Sequence, residues 1–387
     1  MRIHILIITS LLFLIITSCS SNIQTKEKRD EFVIMGYLMP GKNYEPENLP
    51  LEKLTHIIYS FTEVIDNKMT FKYRSNHESL RELVNQKKNH PNLKVMIACG
   101  GWGGSGGFSD MAAKKETRNI FVESVISFIK ESSIDGLDID WEYPGMPGIG
   151  NPYRPEDKEN FSALMKELRE AMDKTNKNLT LSFAAAGWER YFDHIELLEV
   201  MKHADYINMM TYDMTGGGTP VTAHHTNLGK IELSDIKQTP AFNYFKNHNP
   251  RSAQQIIDYI RLMGVNTNQI VIGCAFYGKT WKGVAPVNNG LYQRNKGAWN
   301  PTTITYSILK DNYENKNGYK RYWDSIAMAP FLYNSTDSIF ISYDDTASVK
   351  LKTKYALENK LGGVMFWELK QDAEENGLLD AIYRNQP

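Results

Sequence analysis

Two patterns of apolar residues alternate along most of this chain. Short continuous apolar runs predict buried β-strands, and longer stretches with apolar residues three or four positions apart predict amphipathic helices, as at 118–132 and 161–172. Repeated units of this kind indicate an α/β fold with a parallel sheet, and eight of them fit a (β/α)8 TIM barrel. The predicted strands lie at residues 32–37, 56–61, 93–98, 135–144, 179–185, 206–212, 269–277 and 362–367.

One interval, residues 281–345, interrupts this alternation. It is rich in Tyr, Asn and Thr and shows no clear succession of helices and strands. Because bare loops of this length are uncommon in compact domains, the interval predicts a small domain inserted between the seventh and eighth strands. Residues 32–280 would then form the first seven units of a catalytic barrel, and residues 346–387 would complete it with the eighth strand and the last helix.

The stretch 135–144, with the sequence DGLDIDWEYP, carries an unusual pattern of acidic residues. In a strand, Asp138, Asp140 and Glu142 fall on one face, about 6–7 Å from one to the next, and the residues between them are apolar. Adjacent buried carboxylates are costly unless they share protons or find partners, so such clusters often mark functional sites. A solvated edge strand or a cation site is the alternative. The apolar opposite face argues against an edge, and calcium sites more often use flexible loops.

Glu142, at the end of this strand, is the candidate proton donor. A neighbouring carboxylate, Asp140, and partial burial would both raise its pKa and keep it protonated, so that it could act as a general acid. Glycoside hydrolysis is one reaction that uses such an acid, and there a retaining enzyme needs a second, nucleophilic carboxylate about 5–5.5 Å away across the sugar. One strand cannot place its own neighbours on both sides of a sugar, so the sequence leaves the nucleophile unaccounted for.

The same stretch resembles the D-x-x-D-x-D-x-E signature of the family 18 glycoside hydrolases, the chitinase family, with Asp135 in the first position. The resemblance extends over nearly all of residues 32–387. It implies retaining, substrate-assisted hydrolysis of β-1,4-linked N-acetylglucosamine polymers or oligomers, in which the acetamido group of the substrate is the nucleophile, without metal or cofactor. Glu142 would be the general acid/base, Asp140 would hold the acetamido N–H, and Asp138 would share a proton with Asp140.

Further residues match motifs of this family. Tyr212 and Asp213, in the sequence MTYD, would donate to the acetamido oxygen and position the acetamido group; by themselves they could equally be a buried tyrosine and a loop cap. Trp367 would form the floor under the −1 sugar, and Trp102 would be the +1 platform. The interval 281–345 resembles the α+β insertion of one chitinase subgroup. Other residues expected to line the substrate cleft are Tyr37, Phe61, Gly101, Met210 and Tyr277.

Several positions depart from the family pattern. Ala98 stands where a serine is usual; because that serine would help to hold the charge of Asp138, we expect Tyr37 to do so alone. The loop after Asp213 lacks the tryptophan that many relatives place near the +2 site, and Trp188 is a candidate substitute. Ala275 and Lys279 replace a common proline and arginine.

The N-terminus predicts export. An apolar run at residues 5–16 follows Arg2 and His4, is too short to span a membrane, and ends at Ser18-Cys19, which resembles a bacterial lipobox. Residues 1–18 would be a lipoprotein signal peptide, Cys19 the lipidated residue and residues 19–31 a tether, which predicts a membrane-anchored bacterial lipoprotein. An ordinary signal peptide with an incidental cysteine is the alternative.

The charge of the chain bears on its binding partners, and its cysteines bear on disulfide formation. The net charge is −1 with both signs dispersed, which is not typical of a nucleic-acid groove, and we expect a monomer that meets the membrane only through its lipid anchor. Cys99 and Cys274 are expected to be buried and unpaired. Two other functions stay open: an endo-β-N-acetylglucosaminidase acting on N-glycans, whose relatives usually lack the insertion, and a non-catalytic chitin-binding lectin, whose relatives have typically lost the terminal glutamate.

Overall fold

The computed structural model describes residues 32–41 and 44–387. The predicted signal peptide, the predicted lipidation site at Cys19 and the predicted tether therefore lie outside the described residues. The described strands are β1 (Val33–Leu38), β2 (His56–Ile65), β3 (Lys68–Thr70), β4 (Lys94–Gly100), β5 (Gly136–Asp140), β6 (Thr180–Ala186), β7 (Tyr206–Met210), β8 (Ile270–Ala275), β9 (Tyr277–Lys282), β10 (Thr303–Thr305), β11 (Tyr319–Asp324), β12 (Ala329–Asn334), β13 (Ile339–Ser342) and β14 (Gly363–Trp367). The described α-helices are α1 (Ser75–Asn85), α2 (Phe108–Ala112), α3 (Lys115–Ser132), α4 (Asp157–Thr175), α5 (Leu197–Met201), α6 (Phe242–Phe245), α7 (Ala253–Leu262), α8 (Tyr306–Asn312), α9 (Thr346–Glu358) and α10 (Leu378–Tyr383).

Eight parallel strands close into a barrel. Their order is β1-β14-β8-β7-β6-β5-β4-β2, and β2 pairs back with β1. Helices such as α3 and α4 pack on the outside, so the predicted (β/α)8 barrel is confirmed. The carboxyl ends of all eight strands meet at one rim, where the loops of such a barrel build the site.

Because side chains alternate along a strand, the acidic and the apolar residues of β5 lie on opposite faces. The interior of the barrel is filled by a cluster of side chains that includes Tyr37, Met96, Tyr212 and Met365. The apolar residues of β5 point outwards instead, and Trp141 stacks on Phe108 of α2 with ring centroids 5.3 Å apart. The alternate residues of β5, which are acidic, therefore face the interior of the barrel.

A second sheet follows the seventh barrel strand. It is antiparallel, with the order β10-β9-β13-β12-β11, and has its own core around Trp281, Phe331 and Phe340. Its first strand, β9, starts at Tyr277, with a single residue between it and the end of β8, so residue 281, the predicted start of the inserted unit, lies inside β9. Together with α8 this sheet forms an α+β unit between the seventh and eighth barrel strands.

A buried ion pair lies where this unit rejoins the barrel. Lys352 of α9 contacts Asp344 at 2.6 Å, and both side chains are fully buried. Lys352 also donates to Thr226 at 2.7 Å, while the backbone N–H of Ala275 and the hydroxyl of Ser348 donate to Asp344. The pair thus joins the end of β8, the segment after β7 and helix α9.

Both described cysteines, Cys99 and Cys274, are buried and free, as predicted. Among the described residues, no helix combines the length and the apolar character needed to cross a membrane.

Candidate active site

The three carboxylates form a column that runs from the barrel interior to its rim. Asp138 is fully buried, Asp140 is 5% exposed and Glu142, two residues beyond β5, is 9% exposed. The spacing predicted from the sequence therefore places them on one line, and the donor candidate is the member nearest to solvent.

Asp138 is held by hydrogen bonds from three sides. Its carboxylate accepts from the hydroxyl of Tyr37 at 2.9 Å, from Ser182 at 2.6 Å and from the amide of Asn208 at 3.1 Å. Burial raises its pKa to about 6, although these hydrogen bonds oppose the shift. The expectation that Tyr37 alone compensates for Ala98 is wrong, because strands β6 and β7 supply two further donors.

Asp140 is the least satisfied member of the column. Its Oδ1 atom is buried and has no hydrogen-bond partner among the described residues. Burial, followed by the charges of Glu142 and Asp138, raises its pKa well above the ordinary value. Both oxygens of Asp138 already accept hydrogen bonds from other residues, and the proton shared between Asp138 and Asp140 stays a prediction.

Glu142 has the environment of a proton donor. Burial raises its pKa to about 7; a hydrogen bond from Tyr143 opposes the shift and the charge of Asp213 adds to it. A carboxyl group with this pKa is substantially protonated at neutral pH, so it can act as an acid there and as a base after it has given up its proton. Its main chain is fixed by Ser105, which accepts its N–H at 2.9 Å, and by Asn151, which donates to its carbonyl at 3.1 Å.

The loop after β4 approaches the end of β5 very closely. The Gly101 N–H donates to the Asp140 carbonyl at 2.8 Å, and a Cβ atom on Gly100 would lie 2.1 Å from that oxygen. Gly100 has φ +113° and Gly101 φ +77°, a region that side chains rarely adopt. A Cβ on Gly101 would also lie 2.8 Å from the ring of Phe61. Glycine at both positions therefore lets this loop pack against the column.

Tyr212 and Asp213 follow β7 at the same rim. The Tyr212 hydroxyl contacts Met365 Sδ at 3.8 Å. Burial, followed by the charge of Asp140, raises the pKa of Tyr212 well above its ordinary value, because the phenol lies beside the column. Asp213 adopts φ +54° and accepts from Tyr277 at 2.7 Å and from Lys279 at 2.9 Å. Although burial would raise it, the pKa of Asp213 lies below its usual range because His225, Lys279 and Tyr277 stabilise the carboxylate.

Aromatic residues line the bottom of the cleft at this rim. Trp367 stacks on Phe61 with centroids 5.4 Å apart and lies 5.8 Å from the ring of Tyr37, and the half-buried Met210 packs against the same interior cluster. A cavity of about 280 Å³ opens beside Trp367. It is lined by Asp213, Tyr277, Lys279, Trp367 and Gln371 of the barrel region and by Thr303, Ile304 and Thr305 of β10. The inserted unit therefore provides part of the wall next to the site.

Trp102 and Trp188 lie beyond Glu142. Trp102 is 50% exposed and lies 6.4 Å from Tyr143 between ring centroids, in keeping with a platform beside the donor. The guanidinium of Arg251 lies over the Trp188 ring, 5.0 Å from its centroid, so that this face of the indole is not free for a sugar. Trp188 is therefore not a simple replacement for the missing +2 tryptophan.

Some residues of the site were not predicted from the sequence: Ser182, Asn208, Ser105, Tyr143 and His225. Ser182 and Asn208 each interrupt an apolar strand, and a polar residue at an inward position of β6 or β7 is the signal that could have identified them. Ser105 and His225 lie outside the α-helices and β-strands and are fully buried, and the sequence holds no comparable signal for them.

Comparison with known proteins agrees with this geometry. The model of the glycosyl hydrolases family 18 matches residues 33–372. Chitinase A1 of Niallia circulans is 33% identical over 94% of this chain, and the chain spans 60% of the length of that protein. A family 18 N-acetylglucosaminidase from Paenibacillus barengoltzii has a structure with a TM-score of 0.81 and 34% identity, covering 92% of this chain and 100% of that one. Chitinase ChiA74 from Bacillus thuringiensis has a TM-score of 0.82 and 31% identity, covering 92% and 69%. The chain belongs to the glycosyl hydrolases of family 18.

Proposed function

We propose that this protein hydrolyses β-1,4-linked N-acetylglucosamine chains, such as chitooligosaccharides, with retention of configuration and with Glu142 as general acid/base. The names of its relatives support the substrate class. The observation that carries the proposal is the pairing of a protonatable Glu142, with a pKa of about 7, and a neighbouring Asp140 whose buried Oδ1 has no partner in the described part of the chain.

Asp140 would complete its hydrogen bonding with the substrate. An acetamido N–H placed against its Oδ1 would satisfy that atom, and the negative charge would stabilise the positive oxazolinium that forms when the acetamido oxygen attacks the anomeric carbon. Tyr212, whose hydroxyl contacts only Met365 Sδ in the part of the chain that the structure describes, would donate to the acetamido oxygen. Glu142 gives its proton to the leaving oxygen and then removes one from the water that opens the intermediate.

Asp213 is a further carboxylate at this rim, and its environment does not suit a nucleophile. Its Oδ1 atom is engaged by Tyr277 and Lys279, and its depressed pKa reflects a stabilised anion. We assign to it the positioning of the acetamido group. Attack by the acetamido oxygen of the substrate, as the family resemblance implies, would take the place of an enzyme nucleophile.

The test compares the hydrolysis of chitooligosaccharides up to the hexamer by the wild type and by Glu142→Gln. This substitution keeps the shape and removes the acid, so kcat should fall by about 10²–10⁴-fold. In the wild type, kcat/KM should fall as pH rises above about 7, when Glu142 loses its proton. Glu131→Gln, on the exposed surface of α3, is the control. An active Glu142→Gln protein would refute the assignment.

The products and the substrate range decide between related activities. Release of single sugars would match an exo-acting N-acetylglucosaminidase, and a mixture of short oligomers would match an endo-acting chitinase. Cleavage of N-linked glycans from a glycoprotein in preference to chitooligosaccharides would favour the endo-β-N-acetylglucosaminidase. Equal hydrolysis of deacetylated and acetylated oligomers would rule out the acetamido nucleophile, and binding without cleavage would indicate a lectin.

A further inference from the structure

A cavity of about 300 Å³ lies at the carboxyl end of β6. Its wall includes Trp188 and Glu189, which follow β6, and Arg251, which precedes α7. The Trp188 ring packs edge-on against Tyr143 with centroids 5.4 Å apart, and Tyr143 hydrogen-bonds to Glu142. One aromatic ring thus separates this cavity from the proton donor.

The aromatic contacts place the cavity on the leaving-group side of the site. Tyr143 contacts both Trp188 and Trp102, which is the +1 platform by family resemblance. Trp367, the −1 floor, instead packs against Phe61. A glycan that passes from Trp367 over Glu142 to Trp102 would therefore reach the cavity with the part that is released.

Arg251 is a cation in this cavity with unused donors. Its guanidinium lies over the Trp188 ring, and in residues 32–41 and 44–387 no carboxylate pairs with it and no oxygen accepts a hydrogen bond from its side chain. Glu189 in the same wall accepts from Gln255 Nε2 at 3.2 Å instead. A cation–π contact holds a guanidinium over the indole and does not use up its N–H donors that point away from the ring.

We propose that this cavity binds a carboxylate on the leaving-group portion of the glycan, through the guanidinium of Arg251. The proposal rests on the proposed function for the direction of the glycan and goes beyond it in the substrate class. A guanidinium fork matches a carboxylate bidentately, whereas a neutral sugar hydroxyl uses only one of its donors. Arg190, also in the wall, adds positive charge.

The experiment compares oligosaccharides that differ only at the reducing end. Chitooligosaccharides of two to six sugars are oxidised to the aldonic acid, which carries a carboxylate, or reduced to the uncharged alditol. For at least one chain length, kcat/KM of the wild type should be about 10 times higher for the aldonic acid than for the alditol. A charge-assisted bidentate contact contributes about this factor. High salt should lower that ratio.

Substitution at Arg251 should remove the preference. Arg251→Gln should bring the ratio close to 1 and Arg251→Lys, which keeps the charge without the fork, should leave it in between. Arg81→Gln, an exposed arginine on α1, is the matched control and should keep the wild-type ratio. A wild-type ratio of 1 at every length, or a ratio that Arg251→Gln does not change, would overturn the proposal.

The result can be separated from failure of the proposed function. If the wild type cleaves neither series, the ratio of Kd values for the same ligands is measured calorimetrically on the Glu142→Gln protein. If the Arg251 variants do not fold, the wild-type ratio at low and high salt still decides. Preferential binding of the acid would then support the site at Arg251 even though hydrolysis had failed.

Discussion

Glu142 lies in an environment that favours its neutral form, which links activity to stability. Burial raises the pKa of Asp138 to about 6 and that of Glu142 to about 7, above the values near 4 expected in an unfolded chain. The folded protein therefore holds these protons more tightly than the unfolded chain between about pH 4 and 7. Their contribution to stability is fully present below about pH 4 and is lost as the pH rises through the folded pKa values.

We therefore expect Glu142→Gln to be more thermostable than the wild type at alkaline pH. The amide removes the cost of an ionised carboxylate beside Asp140, so Tm should rise by about 2–5 °C at pH 8 and change little at pH 4. Thermal unfolding at both pH values tests this, with Glu131→Gln as control. A difference in Tm that is the same at both pH values would mean that the charge at position 142 is not responsible.

Ser182 should adjust the pH at which Asp138 ionises. Its hydroxyl donates to the carboxylate at 2.6 Å, so Ser182→Ala removes a hydrogen bond that stabilises the anion and raises the pKa of Asp138 further. If ionised Asp138 is needed for turnover, the acid limb of the kcat profile should move to higher pH by about one unit. Ser127→Ala, whose hydroxyl donates to Glu131 on the surface, should leave the limb in place. An unmoved limb in Ser182→Ala would contradict this role.

At this scale the sequence predicted what a single strand determines. Alternation along 135–144 was enough to place Asp138, Asp140 and Glu142 on one face. Ser182 was missed because it contacts Asp138 across the barrel sheet, where the two residues are register partners of β5 and β6. Periodicity within a strand does not define its register with a neighbour, which depends on how the whole barrel closes.

At the scale of elements, the end of β4 packs so closely against the end of β5 that we expect no side chain to be tolerated at Gly100. Gly100→Ala places a Cβ 2.1 Å from the Asp140 carbonyl at φ +113°, so we expect Tm to fall by several degrees and kcat to drop with it. Gly103→Ala is the matched control in the same loop, because a Cβ there meets nothing within 4 Å. Similar Tm values for the two variants would show that the loop can move away from β5.

The strands were predictable where each apolar run belongs to one sheet. The seventh run, predicted at 269–277, contains the end of β8 and the first residue of β9, which belong to different sheets. A continuous apolar run carries no sign of such a change, since both strands are buried. The short strand β3, a hairpin partner of β2, was also missed, because three residues are too few to show a period.

At the scale of the whole molecule, composition indicated that residues 281–345 form a separate unit, but not how that unit is attached. The attachment uses a buried ion pair, Lys352 with Asp344, whose members are eight residues apart and also bind Thr226, far away along the chain. A lysine in a helix is ordinarily expected at the surface. Its burial depends on the arrangement of three segments, which no local pattern describes.

This ion pair gives a prediction for the stability of the whole described fold. Lys352→Met leaves Asp344 charged in a fully buried position, which should lower the free energy of unfolding by about 3–5 kcal/mol. Lys354→Met in the same helix breaks only the exposed pair with Glu358, so a change of less than about 1 kcal/mol is expected. Urea unfolding of both variants measures the difference. The double variant Lys352→Met/Asp344→Asn should recover part of the loss, because the amide removes the uncompensated charge. Its one oxygen can still accept from the Ala275 N–H, and its NH2 group can donate to the Ser348 hydroxyl. Equal losses in Lys352→Met and in the double variant would mean that packing, and not charge, makes Lys352 necessary where the inserted unit meets the barrel.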